Sequence, residues 1–308
     1  MSEIQVIKRN GNKDTLDLEK LHKVVFYACD GINGVSASEV EIKSSLQFYS
    51  GIGSSEIQET LIKSAADLIS EDQPNYQWVA GRLICYHLRK MVYGQYDPWH
   101  IIDLIKTNVD EGFYDSSLLE KYTEQEWDEL NSHLKHDRDE NMTYAAMEQW
   151  RGKYLVQNRV TNEIKETPQI AYMLISATLF AEYPRETRLQ WVKDYYDAVS
   201  LFYISLPTPV MAGVRTPQRQ FSSCVLIETD DSLDSINATT SSIVKYVSAK
   251  AGIGIGAGSI RALGSPIRRG DAYHTGVVPF YKMFQSATRS CSQGGVRNGA
   301  ATLYYPIW

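Results

Sequence analysis

From residue 201 onward, short apolar runs alternate with helical stretches, and this alternation constrains the fold more than any other feature of the chain. The apolar runs are 202–205, 224–227, 253–257 and 300–304; helical spacing covers 232–248 and 277–290. A strand, a helix and a second strand in one sheet require a crossover, and crossovers join parallel strands. An α/β architecture is therefore expected here. The run Ala251-Gly252-Ile253-Gly254-Ile255-Gly256-Ala257-Gly258 has a Gly-x-Gly rhythm. It follows a helix instead of opening one, and no Walker lysine comes after it, so it fails as a dinucleotide or P-loop fingerprint. The plain reading is a tightly packed strand.

Upstream the pattern is mostly helical. Gln5-Val6-Ile7-Lys8-Arg9 reads as a strand, and Asn10-Gly11 is a hairpin signal. Leu18, Leu21, Val24, Val25 and Ala28 then share one helical face, and further helices are expected over 36–49, 54–69 and 74–93. Beyond them, Ile101, Ile102, Leu104 and Ile105 form one stripe, and Leu189, Val192, Tyr195 and Val199 another. A small hairpin is expected over 160–164. The stretch 124–140 is densely charged and reads as a solvated helical surface.

Lys plus Arg number 31 against 37 for Asp plus Glu, a net charge of -6 that argues against broad binding to nucleic acid. No apolar run approaches the roughly 20 residues that cross a bilayer, and the segment 1–13 lacks a signal-peptide core. No nucleic-acid partner, no membrane and a cytoplasmic location are expected. Cys29, Cys85, Cys224 and Cys291 are scattered without a Cys-x-x-Cys spacing, so neither a metal site nor a disulfide scaffold is expected. Cys29 and Cys85, set among apolar residues at helical spacing, read as buried free thiols.

Three groups can carry chemistry. Lys8, Arg9 and Lys20, with Arg89 and Lys90, can hold a triphosphate, although scattered surface cations are usually just solvated. The glycine-rich run Cys291-Ser292-Gln293-Gly294-Gly295-Val296-Arg297-Asn298-Gly299 reads as a loop in which Gln293 and Arg297 supply an amide and a charge able to read a base. Cys224, in Phe221-Ser222-Ser223-Cys224-Val225-Leu226, begins an expected strand, and strand ends in α/β sheets are where ligands meet catalytic groups. A buried strand thiol is the competing reading.

In this order, the segments resemble the N-terminal portion of the large (alpha) subunit of class I, Ia-like, ribonucleoside-diphosphate reductases. The resemblance is carried by 221–226, by Asp231-Ser232-Leu233-Asp234-Ser235-Ile236-Asn237, by Ala251 to Gly254 and by Cys291 to Arg297. Ile204-Ser205-Leu206-Pro207-Thr208-Pro209 and Gly152-Lys153-Tyr154-Leu155 extend it, and the first 95 residues are similar to the family's ATP-cone. It implies an ATP-cone (small sheet plus helix bundle) over 1–95, a helical domain over 96–220, and the opening strands of a ten-stranded α/β barrel over 221–308. The implied reaction reduces ribonucleoside diphosphates to deoxyribonucleoside diphosphates by thiyl-radical chemistry, with a cysteine pair as reductant. Cys224 matches the first cysteine of that pair.

By the same resemblance, Thr208, Ser223, Ala251 and Gly252 hold the substrate. Asp231, Ser232, Leu233, Arg261, Ile267, Arg268 and His274 form a specificity site for a deoxynucleoside triphosphate, and Gln293 and Arg297 relay its identity. Lys8, Arg9, Asp14, Lys20, Ser54 and Lys90 are assigned to the cone. No metal ligands are assigned. The effectors are ATP and deoxynucleoside triphosphates with magnesium, and the radical cofactor is expected on a separate small (beta) subunit. Expected partners are that subunit, the C-terminal remainder of the large subunit, a second large subunit in a homodimer whose helices 232–248 and 277–290 pair, and thioredoxin or glutaredoxin. With a strand-like run just before Trp308, the barrel looks interrupted, and a second chain is expected to complete the active site. The alternative is a non-catalytic nucleotide-binding regulatory module. Three positions depart from the family pattern: Gln58 stands where a histidine is usual, Asn298 replaces a glycine, and Gly256 replaces an asparagine with no consequence legible in the sequence.

Overall fold

The Asn10-Gly11 signal sets the first turn. In the computed structural model, which describes residues 4–291 and 299–306, strands β1 (Gln5–Ile7) and β2 (Lys13–Thr15) pair antiparallel with Val6 opposite Asp14. The connection is longer than a two-residue turn. Gly11 N donates to Lys8 O (2.9 Å), Lys8 N donates to Asn12 O (2.8 Å), and Gly11 takes φ +83°, which glycine adopts without Cβ strain. Helix α1 (Leu18–Cys29) follows, capped by Asp17, whose side chain accepts from Lys20 N. Helix α2 (Ala37–Ser45) stops short of the expected 49. The chain turns there to place β3 (Ile52–Gly53) parallel to β1, a strand too short to show any alternation. Helices α3 (Ser54–Ala66) and α4 (Tyr76–Tyr93) complete this part, and α4 buries Val79, Ala80, Leu83, Ile84, Cys85 and Leu88.

Four helices continue the chain: α5 (Ile101–Asp110), α6 (Ser117–Lys121), α7 (Glu124–His133) and α8 (Tyr144–Gln149). The small hairpin forms, from β4 (Gln157–Asn158) and β5 (Glu163–Ile164), slightly upstream of the expected start. Helix α9 (Pro168–Leu179) is buried on nearly every side, with Pro168 in the first turn where its missing N–H costs nothing. Helix α10 (Arg185–Ser200) packs against it. The charged stretch 124–140 is only partly the solvated surface expected. Trp127 and Leu130 are buried on α7, and Asp139 is 1% exposed, accepting from Gln169 Nε2 at 2.9 Å. Another buried charge organises the region. Glu166 is fully enclosed and accepts from Arg215, from Tyr114 Oη and from Val156 N.

The chain divides into two compact units, 1–205 with 215–217, and 206–214 with 218–308. The strand expected over 202–205 does not form. Phe202 takes φ +64°, and the N–H groups of Phe202, Tyr203 and Ile204 turn back onto carbonyls of Val199 and Ala198, closing α10. Those backbone donors are spent on the helix end, so no ladder is available to them.

The second unit opens with α11 (Thr208–Gly213). Its sheet contains β6 (Cys224–Glu228), β7 (Gly252–Gly256) and β10 (Ala301–Tyr304), all parallel, in the order β10-β7-β6. Helix α12 (Leu233–Ser248) joins β6 to β7. Between β7 and β10 come a hairpin, β8 (Pro266–Ile267) with β9 (Ala272–Tyr273), and helix α13 (Val278–Arg289). Ile236, Ile243 and Val247 of α12, Ile253 and Ile255 of β7 and Phe284 of α13 form the core, so α12 and α13 pack beside each other within one chain. Among the described residues, no helix is long and apolar enough to cross a membrane.

Burial raises the Asp139 carboxyl to about 7 from the ordinary 3.8, with the bond from Gln169 opposing. Folding therefore favours its protonated form. The contribution is complete below about pH 4 and lost as pH rises through about 7. Urea midpoints should show wild type losing stability relative to Asp139→Asn across that window; a pH-independent difference would remove the assignment. Glu166→Ala leaves the Arg215 guanidinium enclosed without its carboxylate, and is expected to cost about 3–5 kcal/mol in denaturant unfolding.

Candidate functional site

The glycine–isoleucine alternation of β7 gives the sheet two unlike faces. Ile253 and Ile255 enter the core under the helices, so the glycines fall on the opposite face. There the side chains of the neighbouring strands lie across them. A Cβ at Gly254 would sit 2.6 Å from Leu226 Cδ2 and 3.2 Å from Tyr304 Cε2, too close to be tolerated without movement. At Gly256 the obstacle would be the carboxylate of Glu228. The departure at Gly256, opaque in the sequence, thus makes room for that side chain, although its flexible end could swing aside.

Cys224 begins β6 opposite Gly252 and by the period of two lies on the glycine face with Leu226 and Glu228. It is exposed, not the buried strand thiol of the competing reading. Gly252 N donates to Ser223 O at 2.8 Å, so Ser223, Cys224, Ala251 and Gly252 gather at one corner of the sheet. Ala251 and Gly252 are buried there. This corner is the amino end of the parallel strands, whereas open α/β sheets generally bind ligands at the carboxyl ends. Thr208, in the same unit, opens α11 and has no hydrogen bond to this group among the described residues.

The carboxyl end of β6 carries a separate cavity of about 400 Å³. Asp231, Ser232, Leu233, Arg261, Ile267, Arg268 and His274 all line it, so the structure brings together every residue expected of the specificity site. Ile236, Tyr273, Thr275 and Phe280 complete the wall; Ile236 lies in the 231–237 motif without an assigned role, and no motif had marked the other three. Ser232 caps α12 by accepting from Ser235 N (3.1 Å), and the helix amino end faces an anion-favouring space. Asp231 accepts from the backbone N and the Nε of Arg261 (3.1 and 2.5 Å). Burial pushes its carboxyl up, but these bonds and the Arg261 charge hold it below the usual range. His274 Nδ1 accepts from Gly276 N (3.0 Å), and its ring stacks on Phe280 at 5.8 Å.

In the first unit a cavity of about 460 Å³ opens between the hairpin, α1, α3 and α4. Lys8, Lys20 and Ser54 line it, as expected; Arg9, Asp14 and Lys90 are not among its lining residues. Asp14 pairs with Lys8 (3.2 Å), and this bond and charge hold its carboxyl below the usual range. Arg9 donates to His87 Nδ1 (3.2 Å), and the Lys90 ammonium lies 5.7 Å from the centre of the Tyr86 ring. The wall also contains Tyr27, Tyr86 and Tyr96. These tyrosines were missed because they come from distant helix faces and loops and share no spacing. Gln58 lines the cavity too, and its buried Oε1 has no hydrogen-bond partner among the described residues. Gln293 and Arg297, the relay residues, and Asn298 lie outside the described residues.

Family models match three successive parts of the chain: "ATP cone domain" over residues 4–91, "Ribonucleotide reductase, all-alpha domain" over 140–219 and "Ribonucleotide reductase, barrel domain" over 222–308. The chain belongs to the ribonucleotide reductase large-subunit family. It is 61% identical over 305 residues to the ribonucleoside-diphosphate reductase subunit alpha of Haemophilus influenzae, and 61% identical over 303 residues to ribonucleoside-diphosphate reductase 1 subunit alpha of Escherichia coli. A Synechocystis subunit alpha is 31% identical over 312 residues. These alignments cover 98–99% of the chain, which spans about 40% of the length of those relatives.

The cysteines differ in a way alkylation can read. Burial pushes the Cys85 thiol well up and that of Cys29, with Glu41 adding to it, up to about 11. Brief treatment of the native chain with iodoacetamide, read by peptide mass spectrometry, should label Cys224 ahead of both. Equal labelling of Cys85 and Cys224 would contradict the exposed placement.

Proposed function

We propose that the chain is the N-terminal part of the catalytic subunit of a ribonucleoside-diphosphate reductase, with Cys224 as one thiol of the reducing pair. One observation carries the reading: an exposed thiol begins a five-residue strand, spanning roughly 13 Å, and the turn after that strand opens a cavity lined by all seven residues expected of the effector site. The three-part division at residues 95 and 220 belongs to the same proposal.

On this reading, reduction consumes two thiols. The substrate loses its 2′-hydroxyl as water, hydrogen takes its place, and the two sulfurs close a disulfide. Cys224 supplies one of those sulfurs. The glycine face gives it access, because only the strand neighbours Leu226 and Glu228 rise beside it on β6. Ser223 and the backbone of Ala251 and Gly252 form the edge against which the substrate rests, and Thr208 is assigned to its phosphates. The second thiol, the radical-bearing small subunit and an external dithiol reductant such as thioredoxin or glutaredoxin are supplied by partners. A second large subunit pairs through α12 and α13.

The 460 Å³ cavity is assigned to ATP or dATP with its magnesium. Lys8 and Lys20 meet the phosphates, and Ser54 and Gln58 offer hydrogen-bonding groups. An amide at position 58 cannot take up a proton as a histidine does, and we assign it a weakened discrimination between ATP and dATP.

In the assembled enzyme, made with the remainder of the barrel and the small subunit, Cys224→Ser should abolish dithiol-dependent turnover of CDP while leaving nucleotide binding by calorimetry intact. Unchanged turnover would remove the catalytic reading and leave the chain a nucleotide-binding regulatory module.

A further inference from the structure

The cavity at the carboxyl end of β6 holds little uncommitted positive charge for the triphosphate assigned to it. Two guanidinium groups line it, those of Arg261 and Arg268. Arg261 is already paired with Asp231, Nε to Oδ2 at 2.5 Å. The Nδ1 of His274 is already occupied, accepting from Gly276 N. Arg268 is then the one unpaired guanidinium among the lining residues described, against a ligand tail with several negative charges.

The next residue is singled out by its backbone. Arg268 has φ +49° and Arg269 φ +58° with ψ +31°, two consecutive left-handed non-glycine residues in the turn between β8 and β9. This region costs a residue with a Cβ free energy that glycine avoids, and such strain characteristically persists at ligand clamps and other functional sites. Both arginines are exposed, and neither guanidinium has a hydrogen-bond or ion-pair partner among the described residues. Asp271, two residues on, offers a carboxylate that neither takes. The turn itself belongs to the cavity wall, since Ile267, Arg268 and Tyr273 line it, and Arg269, which does not line it, is the next residue of that turn.

We propose that Arg269 is a further ligand-binding residue of this cavity, bringing a second unpaired guanidinium to the terminal phosphate of a bound deoxynucleoside triphosphate. The proposal rests on reading the cavity as the effector site. It accounts for an arginine at a backbone position that suits glycine or asparagine, in the turn that walls the cavity.

The test is calorimetric titration of the 308-residue chain with dTTP at two salt concentrations. Arg269→Asn keeps tolerance of the left-handed backbone and removes the charge, Arg269→Gly removes strain and charge together, and Arg269→Lys keeps the charge. The Asn and Gly variants should each bind dTTP roughly tenfold more weakly, with a shallower salt dependence, and Lys should stay within about threefold of wild type. Thermal unfolding of the Gly variant should show no loss of stability. Wild-type affinity in the Asn variant overturns the proposal, and so does a Lys variant as weak as Asn, which would make the role one of shape and not of charge. If wild type itself binds no dTTP, the effector-site reading falls and takes this inference with it; if wild type binds and all three variants match it, the inference alone fails.

Discussion

Strand β7 is the constraint on which the second unit depends. It is the central strand, hydrogen-bonded on both sides, and its residues alternate glycine with isoleucine. The isoleucines supply the apolar face on which α12 and α13 pack, and burying each is worth about 1.5–3 kcal/mol. The glycines leave the other face without side chains of its own. Leu226, Glu228 and Tyr304 lie over that bare ribbon, and Cys224 lines up with them at the strand start. A Cβ at Gly254 would collide with Leu226, so the residue pattern that drives helix packing on one face also lets neighbouring side chains close over the other.

In the first unit part-buried polar contacts take the corresponding role. Arg9 donates to His87 Nδ1, and His87 Nε2 stands 3.3 Å from Glu59. Glu59 is gripped in turn by Arg151 through both carboxylate oxygens. The bond to His87, followed by the bonds and charge of Arg151, pulls the Glu59 carboxyl down to about 2 against the penalty of burial. On another side Tyr27 Oη donates to Glu140 and meets Tyr96 Oη at 2.8 Å. Both sets of contacts tie residues of the cavity or its backing to the segment 136–154. A satisfied polar network of this kind specifies one arrangement of its elements, because breaking any member leaves a buried group unpaired.

Much of this was legible from residue types and spacing. The helix faces of α1, α12 and α13, the parallel sheet and the exposed position of the hairpin loop follow from period and turn chemistry. The residues expected of a specificity site, carried over by motif, converge on one cavity although they span Asp231 to His274. Other features had no local signature. Residues 202–205 have an apolar composition suited to a strand, but their N–H groups close α10. Asp139 sits in a charged run yet is enclosed, because Gln169 from a distant helix supplies its partner. Strand β3 exists only because Ile52 finds Val6. In each case a tertiary partner outweighed the local preference.

By itself, then, the sequence determined which segments are helix or strand wherever the apolar period ran long enough, and through its motifs the family to which the chain belongs. Tertiary structure alone decided which residues meet: the tyrosine wall of the first cavity, the two-faced sheet with Cys224 on its glycine side, and the left-handed arginine pair in the turn that walls the second. The physical reason is that periodicity reports the local path of the backbone, whereas burial, ion pairing and positive φ depend on neighbours brought in from elsewhere in the chain.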